Sequence, residues 1–255
     1  MAIKKKPQRF PNPINSNPSH DAEHAIYLAG TGGGKTSAVK YIGLVPKGAH
    51  ALFFDPYRNY AGAKFQGQTC HGFSTRSEFI RAAFNARKKG ASFKVAYVPK
   101  GGASMEELEF FSSVAWALGN GRAPKLHVVI EELASCAETS GKLKGKTGEL
   151  LRGGRQYGLV IHTVFQRGQE VPKTVTDQSA VWWVGSVNSV NDANWVADRK
   201  GINVDEITAL KSAKVNKARL GKPIAEYLLV RDGVGNMAKG AFDCASGKYK
   251  KCPPA

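Results

Sequence analysis

The chain has 255 residues, 42% of them hydrophobic, which is enough apolar material for one full globular core and argues against wholesale disorder. Its 37 lysines and arginines outnumber 20 acids, and the resulting net charge of +17 suits a polyanionic partner: nucleic acid first, an anionic membrane surface second. The longest apolar stretch, around Leu108–Leu118, is interrupted by Glu109, Ser112 and Ser113 and is too short to span a bilayer, and no apolar segment follows Lys4–Lys6 as a signal peptide requires. Cys70, Cys136, Cys244 and Cys252 form no CxxC pair, which argues against a zinc site.

Residues 1–20, rich in Pro, Asn, Ser and Lys, read as an extended basic arm rather than a packed element. A short apolar strand, His24–Ala29, then runs into glycines. Ala49–Phe54 is a second strand, closed by Asp55-Pro56. Thr75-x-x-Glu78 is a capping box that predicts a helix with Phe79, Ile80, Ala83 and Phe84 on one face. Phe93–Val98 is a third strand. Ser104-x-x-Glu107 caps a helix whose apolar stripe is Met105, Leu108, Phe111, Val114, Ala115 and Leu118. Leu126–Ile130, Leu159–Phe165 and Val181–Val187 follow as strands four to six. Helices are expected over Asn191–Arg199 and Val204–Leu210, and a β-hairpin over Glu226–Arg231 and Met237–Phe242 around Asp232-Gly233-Val234-Gly235. Residues 243–255 read as a basic tail. Strands alternating with helices imply a mostly parallel sheet covered on both faces, with ligands at the carboxyl ends of the strands. His127, His162, Trp182 and Trp183, all within strands, are expected to be core residues.

Three motifs carry chemistry. Ala29-Gly30-Thr31-Gly32-Gly33-Gly34-Lys35-Thr36, with Ser37 next, follows a strand and opens a helix. This is a Walker A loop with alanine in the first glycine place. Its backbone N–H groups can turn around phosphate oxygens, Lys35 can reach the β- and γ-phosphates, and Thr36 can place its hydroxyl on Mg²⁺. Leu126–Ile130 ends in paired carboxylates: Glu131 as the metal-side acid and Glu132 as the base that polarises water. Gln166 ends the next strand, where a polar side chain can sense the γ-phosphate. Arg152 and Arg155, three residues apart, share a helical face and could enter a neighbouring subunit's site. The loop Ser140–Lys146, the stretch Lys211, Lys214, Lys217, Arg219 and Lys222, and the tail lysines Lys248, Lys250 and Lys251 are candidate backbone grips for a polyanion.

With these residues placed, the chain resembles the FtsK–HerA superfamily of DNA-pumping ATPases. The shared features are the Walker A run, Ala51-Leu52-Phe53-Phe54-Asp55-Pro56 as the second strand and its acidic end, Glu131-Glu132, and Gly154-Arg155-Gln156-Tyr157-Gly158 followed by Gln166-Arg167, with Phe165 where the family usually has threonine. The resemblance spans about residues 21–240. It implies a RecA-like P-loop domain over 21–242, Mg²⁺ and ATP as cofactor and substrate, a hexameric ring, and Arg155 ahead of Arg152 as the arginine finger. Without preceding membrane helices or a β-barrel, the chain looks like the genome-packaging ATPases of tailless, membrane-containing phages. That implies double-stranded DNA and capsid portal or vertex proteins as partners, contact with an internal viral membrane, and residence in the host cytoplasm during assembly and then at the virion's packaging vertex. Plasmid-transfer and filamentous-phage-assembly ATPases are related alternatives. A small-molecule P-loop phosphotransferase and a vertex protein with little turnover are rivals of other classes.

Overall fold

A computed structural model describes residues 10–136, 141–231, 233 and 235–250. Ten strands form one sheet. In chain order they are β1 (Ala25–Leu28), β2 (His50–Phe54), β5 (His71–Phe73), β6 (Phe93–Tyr97), β7 (Leu126–Ile130), β8 (Leu159–Phe165), β9 (Val181–Gly185), β10 (Ile224–Val230), β11 (Met237–Asp243) and β12 (Tyr249–Lys250); a separate small hairpin pairs β3 (Lys64–Phe65) with β4 (Gln68–Thr69). The sheet order is β12-β11-β10-β9-β1-β8-β7-β2-β6-β5. The run from β5 to β9 is parallel, and β10, β11 and β12 are antiparallel additions at one edge. The expected mixed α/β fold with a mostly parallel sheet and a C-terminal hairpin is the one found.

The central strands are buried along their whole length, as strands covered on both faces must be. Alternation along each strand therefore sorts side chains into two cores rather than into core and solvent. Ile26, Leu28, Val128, Ile130, Ile161 and Trp182 face one core with α2 (Arg76–Lys89), α3 (Met105–Ala117), α5 (Gly145–Gly153) and α7 (Val190–Lys200). Tyr27, Phe53, Val129, Val164 and Trp183 face the other with α1 (Lys35–Tyr41). Both predicted N-caps form, Thr75 accepting from the Glu78 amide and Ser104 from the Glu107 amide. His127 and His162 are buried as expected. His127 Nδ1 and His162 Nε2 lie 2.9 Å apart and the Tyr27 hydroxyl is 3.4 Å from His162 Nδ1. Burial holds His162 well below the usual histidine range and His127 down to about 4, so the column is neutral.

Several sequence expectations need correction. The second half of the arm packs. Phe10 meets Phe110 at a 6.1 Å ring separation, Ile14 bridges Asn120, and the Asn17 amide donates to Gln156 O at 2.7 Å. Extended polar chain without its own core still finds partners where helix and strand ends leave carbonyls open. Residues 243–250 are not a tail: Asp243 ends β11, and Tyr249–Lys250 pair with Ala241 and Phe242, covering part of a free edge. The basic loop before β8 is partly helix: α5 begins at Gly145 because the Glu109 carboxylate accepts the Lys146 and Thr147 amides. The sixth strand stops at Gly185. The sequence reading also missed β3 to β5, α6 (Lys173–Gln178) and α9 (Ala213–Leu220), whose short runs carry weak periodicity. Residues 1–9, Ser140, Asp232, Val234, Lys251 and Cys252 lie outside the described residues.

Candidate nucleotide site

Local backbone chemistry builds the site at the carboxyl ends of β1, β7 and β8. The glycine loop follows β1, and α1 starts at Lys35 after Gly34, whose φ of 93° is a left-handed value that glycine adopts without strain. Close approach explains the other glycines: a Cβ at Gly33 would stand 2.7 Å from the Ala29 Cβ, and one at Gly30 would stand 2.2 Å from Asn188 Oδ1. The loop is pinned from outside by Gly30 N–H donating to Ser186 O (2.8 Å) and by the Lys214 N–H donating to Gly32 O (3.3 Å). Lys214, in α9, thus meets the glycine loop through its backbone.

Lys35 Nζ donates to Ala29 O (2.7 Å) and Gly30 O (3.1 Å), folding the ammonium over its own loop. Burial lowers its pKa, and Glu131 and Glu132 oppose that shift. Thr36 and Ser37 are half-buried in the first turn of α1, and the Ser37 hydroxyl bonds the thiol of Cys244. Glu131 is buried, with the Tyr60 hydroxyl donating to its Oε1 at 2.5 Å. Burial pushes its carboxyl up to about 7, with Tyr60 pulling the other way. The sequence reading passed over Tyr60. Its place follows from Asp55, fully buried at the end of β2, whose carboxylate accepts the amides of Asn59, Tyr60 and Ala61. An acid followed by a polar turn was the available signal.

Glu132 has φ 55°, a left-handed value rare for a residue with a side chain. In an extended strand its side chain would face away from that of Glu131. The turn breaks that alternation, and Glu132 Oε1 accepts from Gln166 Nε2 at 3.0 Å, while Gln166 Oε1 accepts from the Thr31 hydroxyl at 2.9 Å. Glu132 Oε1 accepts from the amide nitrogen and so fixes the orientation of the amide, which in turn orients Thr31. One hydrogen-bonded chain thus joins the glycine loop, the end of β8 and the end of β7. β8 lies between β1 and β7 in the sheet, which is what brings these three ends together.

Arg152 and Arg155 lie at the other end of the strands. Arg152 donates to Leu143 O (2.9 Å) and Arg155 to His20 O (2.5 Å) and Pro18 O (3.3 Å), ahead of β1. Within one subunit they are therefore remote from the glycine loop.

The residues fit Mg²⁺ with a nucleotide. Close backbone approach leaves a cradle at the loop, and Thr36 and Glu131 would be the hard oxygen ligands. No group of three or more His, Cys, Asp or Glu side chains among the described residues forms a protein-only metal cage.

No protein-family model matches the chain. The genome-packaging NTPase B204 of Sulfolobus turreted icosahedral virus 2, solved in complex with AMPPCP, superposes with a TM-score of 0.57 and 13% identity over 94% of this chain and 99% of that one. The two chains share one fold, a mostly parallel sheet flanked by helices. The bacterial conjugative coupling protein TrwBdeltaN70 shares it at a TM-score of 0.55, 10% identity, 91% of this chain and 88% of that one. In sequence, Protein P9 of Pseudoalteromonas phage PM2 is 33% identical over 107 residues, 42% of this chain and 48% of that protein, so the match spans about half of the curated relative.

Proposed function

We propose that the protein is an ATPase that drives double-stranded DNA, as the packaging motor of a virus that fills a preformed capsid. The observation that carries the reading is the Thr31–Gln166–Glu132 chain, which ties the glycine loop to the Glu132 carboxylate. Lys35 leaves the Ala29 and Gly30 carbonyls for the β- and γ-phosphates. Thr36 and Glu131 would hold Mg²⁺, which supplies charge neutralisation on the phosphates. Glu132 orients and deprotonates the attacking water, and Gln166 exchanges its Thr31 bond for the γ-phosphate. A ring, hexameric in this reading, places Arg155 of one subunit toward the nucleotide of the next, once it releases the carbonyls of residues 18 and 20; Arg152 is the second candidate. The likeness to a viral packaging NTPase and the net charge of +17 support this reading over a phosphotransferase. Capsid vertex proteins, an internal viral membrane and the packaging vertex are the partners and location that go with it. No helix among the described residues is long and apolar enough to cross a membrane.

The test is ATP hydrolysis by the full chain with and without long double-stranded DNA across a salt series. A motor that grips the backbone is stimulated by DNA, and the stimulation fades as salt rises. Hydrolysis that DNA does not change, in protein that binds DNA, defeats the reading.

A further inference from the structure

A second concave site lies away from the glycine loop. A cavity of about 470 Å³ opens between α6 and α7, lined by Lys173, Asp177, Trp182, Trp195, Arg199 and Lys200 among others. The two indoles stack with centroids 5.4 Å apart at 24°. The Arg199 guanidinium sits 4.1 Å over the Trp195 ring, and Lys200 Nζ sits 4.5 Å over the Trp182 ring. Long basic side chains ordinarily lose much conformational freedom when they bind an anion. Here two of them already stand over an aromatic pair, with Lys173 exposed on the facing helix. Three cations against one carboxylate make the cavity a receptor for anions.

The shape narrows the ligand. A neighbouring cavity of about 340 Å³ shares Thr176, Asp177 and Lys200 with the first. The two run on as one groove, which suits a chain of phosphates rather than a single one. A planar membrane surface would meet few of the groups that line a concavity.

The groove is also joined to the nucleotide site. Gly168 stands two residues after Gln166, and a Cβ on it would meet Trp195 Cε3 at 2.6 Å. The Gly168 N–H donates to Asp192 Oδ1 at 2.8 Å, in the first turn of α7. The segment that leaves the candidate γ-phosphate sensor is thus packed on the indole that carries Arg199, and bonded to the helix that carries both cations.

We propose that the Lys173–Arg199–Lys200 groove binds the phosphate backbone of DNA independently of sequence, and that Gly168 and Trp195 link its grip to the nucleotide state. This rests on the reading of the chain as a DNA motor. The test compares the full chain with the triple variant Lys173→Gln/Arg199→Gln/Lys200→Gln, and with Arg199→Gln alone, in binding a labelled duplex across a salt series, with and without a non-hydrolysable ATP analogue. The triple variant is expected to bind DNA more weakly, with a log K against log salt slope shallower by about 2–3, since each phosphate contact contributes about 0.9. Its affinity for the analogue should stay that of the wild type, and its DNA affinity should lose the response to the analogue that the wild type shows. Arg199→Gln should give about one third of the slope change, which guards against a fold lost in the triple variant. An unchanged slope and affinity overturn the groove. An unchanged response to the analogue overturns the link. Loss of binding to anionic vesicles with DNA binding intact overturns the choice of ligand in favour of a membrane. Wild-type protein that binds no duplex at any salt fails the motor reading itself, a result distinct from all of these.

Discussion

Replacing Glu131 with glutamine should stabilise the nucleotide-free protein at alkaline pH and leave it nearly unchanged in acid. Burial raises the Glu131 carboxyl from the ordinary carboxylate value of 4.5 to about 7. A group whose folded-state pKa lies above its unfolded value adds stability that is fully present below the unfolded value and is lost as pH rises through the folded one. The window is therefore about pH 4.5 to 7, and at about 1.4 kcal/mol per pH unit the loss amounts to about 3 kcal/mol. Glutamine mimics the protonated carboxyl and its oxygen still accepts from Tyr60, so the variant avoids that loss. For a domain of this size about 3 kcal/mol corresponds to roughly 6–12 °C in Tm. The assay is thermal unfolding in EDTA, without nucleotide, from pH 5 to 8.5, read as the difference between the two proteins. The difference is essential because His24 and His127, both lowered by burial to about 4, act with the opposite sign and destabilise wild type and variant alike as pH falls from the usual histidine range. A variant no more stable than wild type at pH 8.5 would refute the argument that Glu131 is desolvated at ionic cost.

Glu132→Gln should keep nucleotide binding and lower the hydrolysis rate by about 10²–10⁴-fold, the usual contribution of a positioned base, measured in single-turnover assays. Gly34→Ala puts a Cβ 2.8 Å from the Ala225 Cβ in a left-handed backbone, so binding of a fluorescent ATP analogue should be lost while circular dichroism shows a folded protein. Tyr60→Phe leaves the Glu131 carboxylate without its hydroxyl donor, and should destabilise the protein by about 1–3 kcal/mol in urea unfolding. It should also weaken Mg²⁺-dependent nucleotide binding more than binding in EDTA.

The parallel core strands were legible in the sequence because each is a short apolar run bounded by turn residues, and β7 and β8 emerge within the ranges the residues gave. The capping boxes at Thr75 and Ser104 were legible for a local reason: a side-chain oxygen bonds an amide three residues on, and nothing distant is needed. The glycine loop, Lys35, Thr36, Glu131, Glu132 and Gln166 could be chosen from pattern alone for the same reason, since each is defined by its place at a strand end.

What the sequence could not give is which strand ends meet. Only the sheet order, with β8 between β1 and β7, sets Thr31, Gln166 and Glu132 in one chain of hydrogen bonds across 135 and 34 positions of sequence. Tyr60 reaches Glu131 from 71 residues away because Asp55 folds the turn beneath it, a contact no periodicity records. The Trp182–Trp195 pair and its cations arise from a strand and a helix whose meeting no local pattern records. By itself the sequence determined the local elements and the chemistry each strand end carries, because these depend on neighbours along the chain. The tertiary structure decided which groups act together and which charged residues face the glycine loop, the neighbouring groove or the far end of the sheet, because hydrogen bonds and burial depend on distance in space.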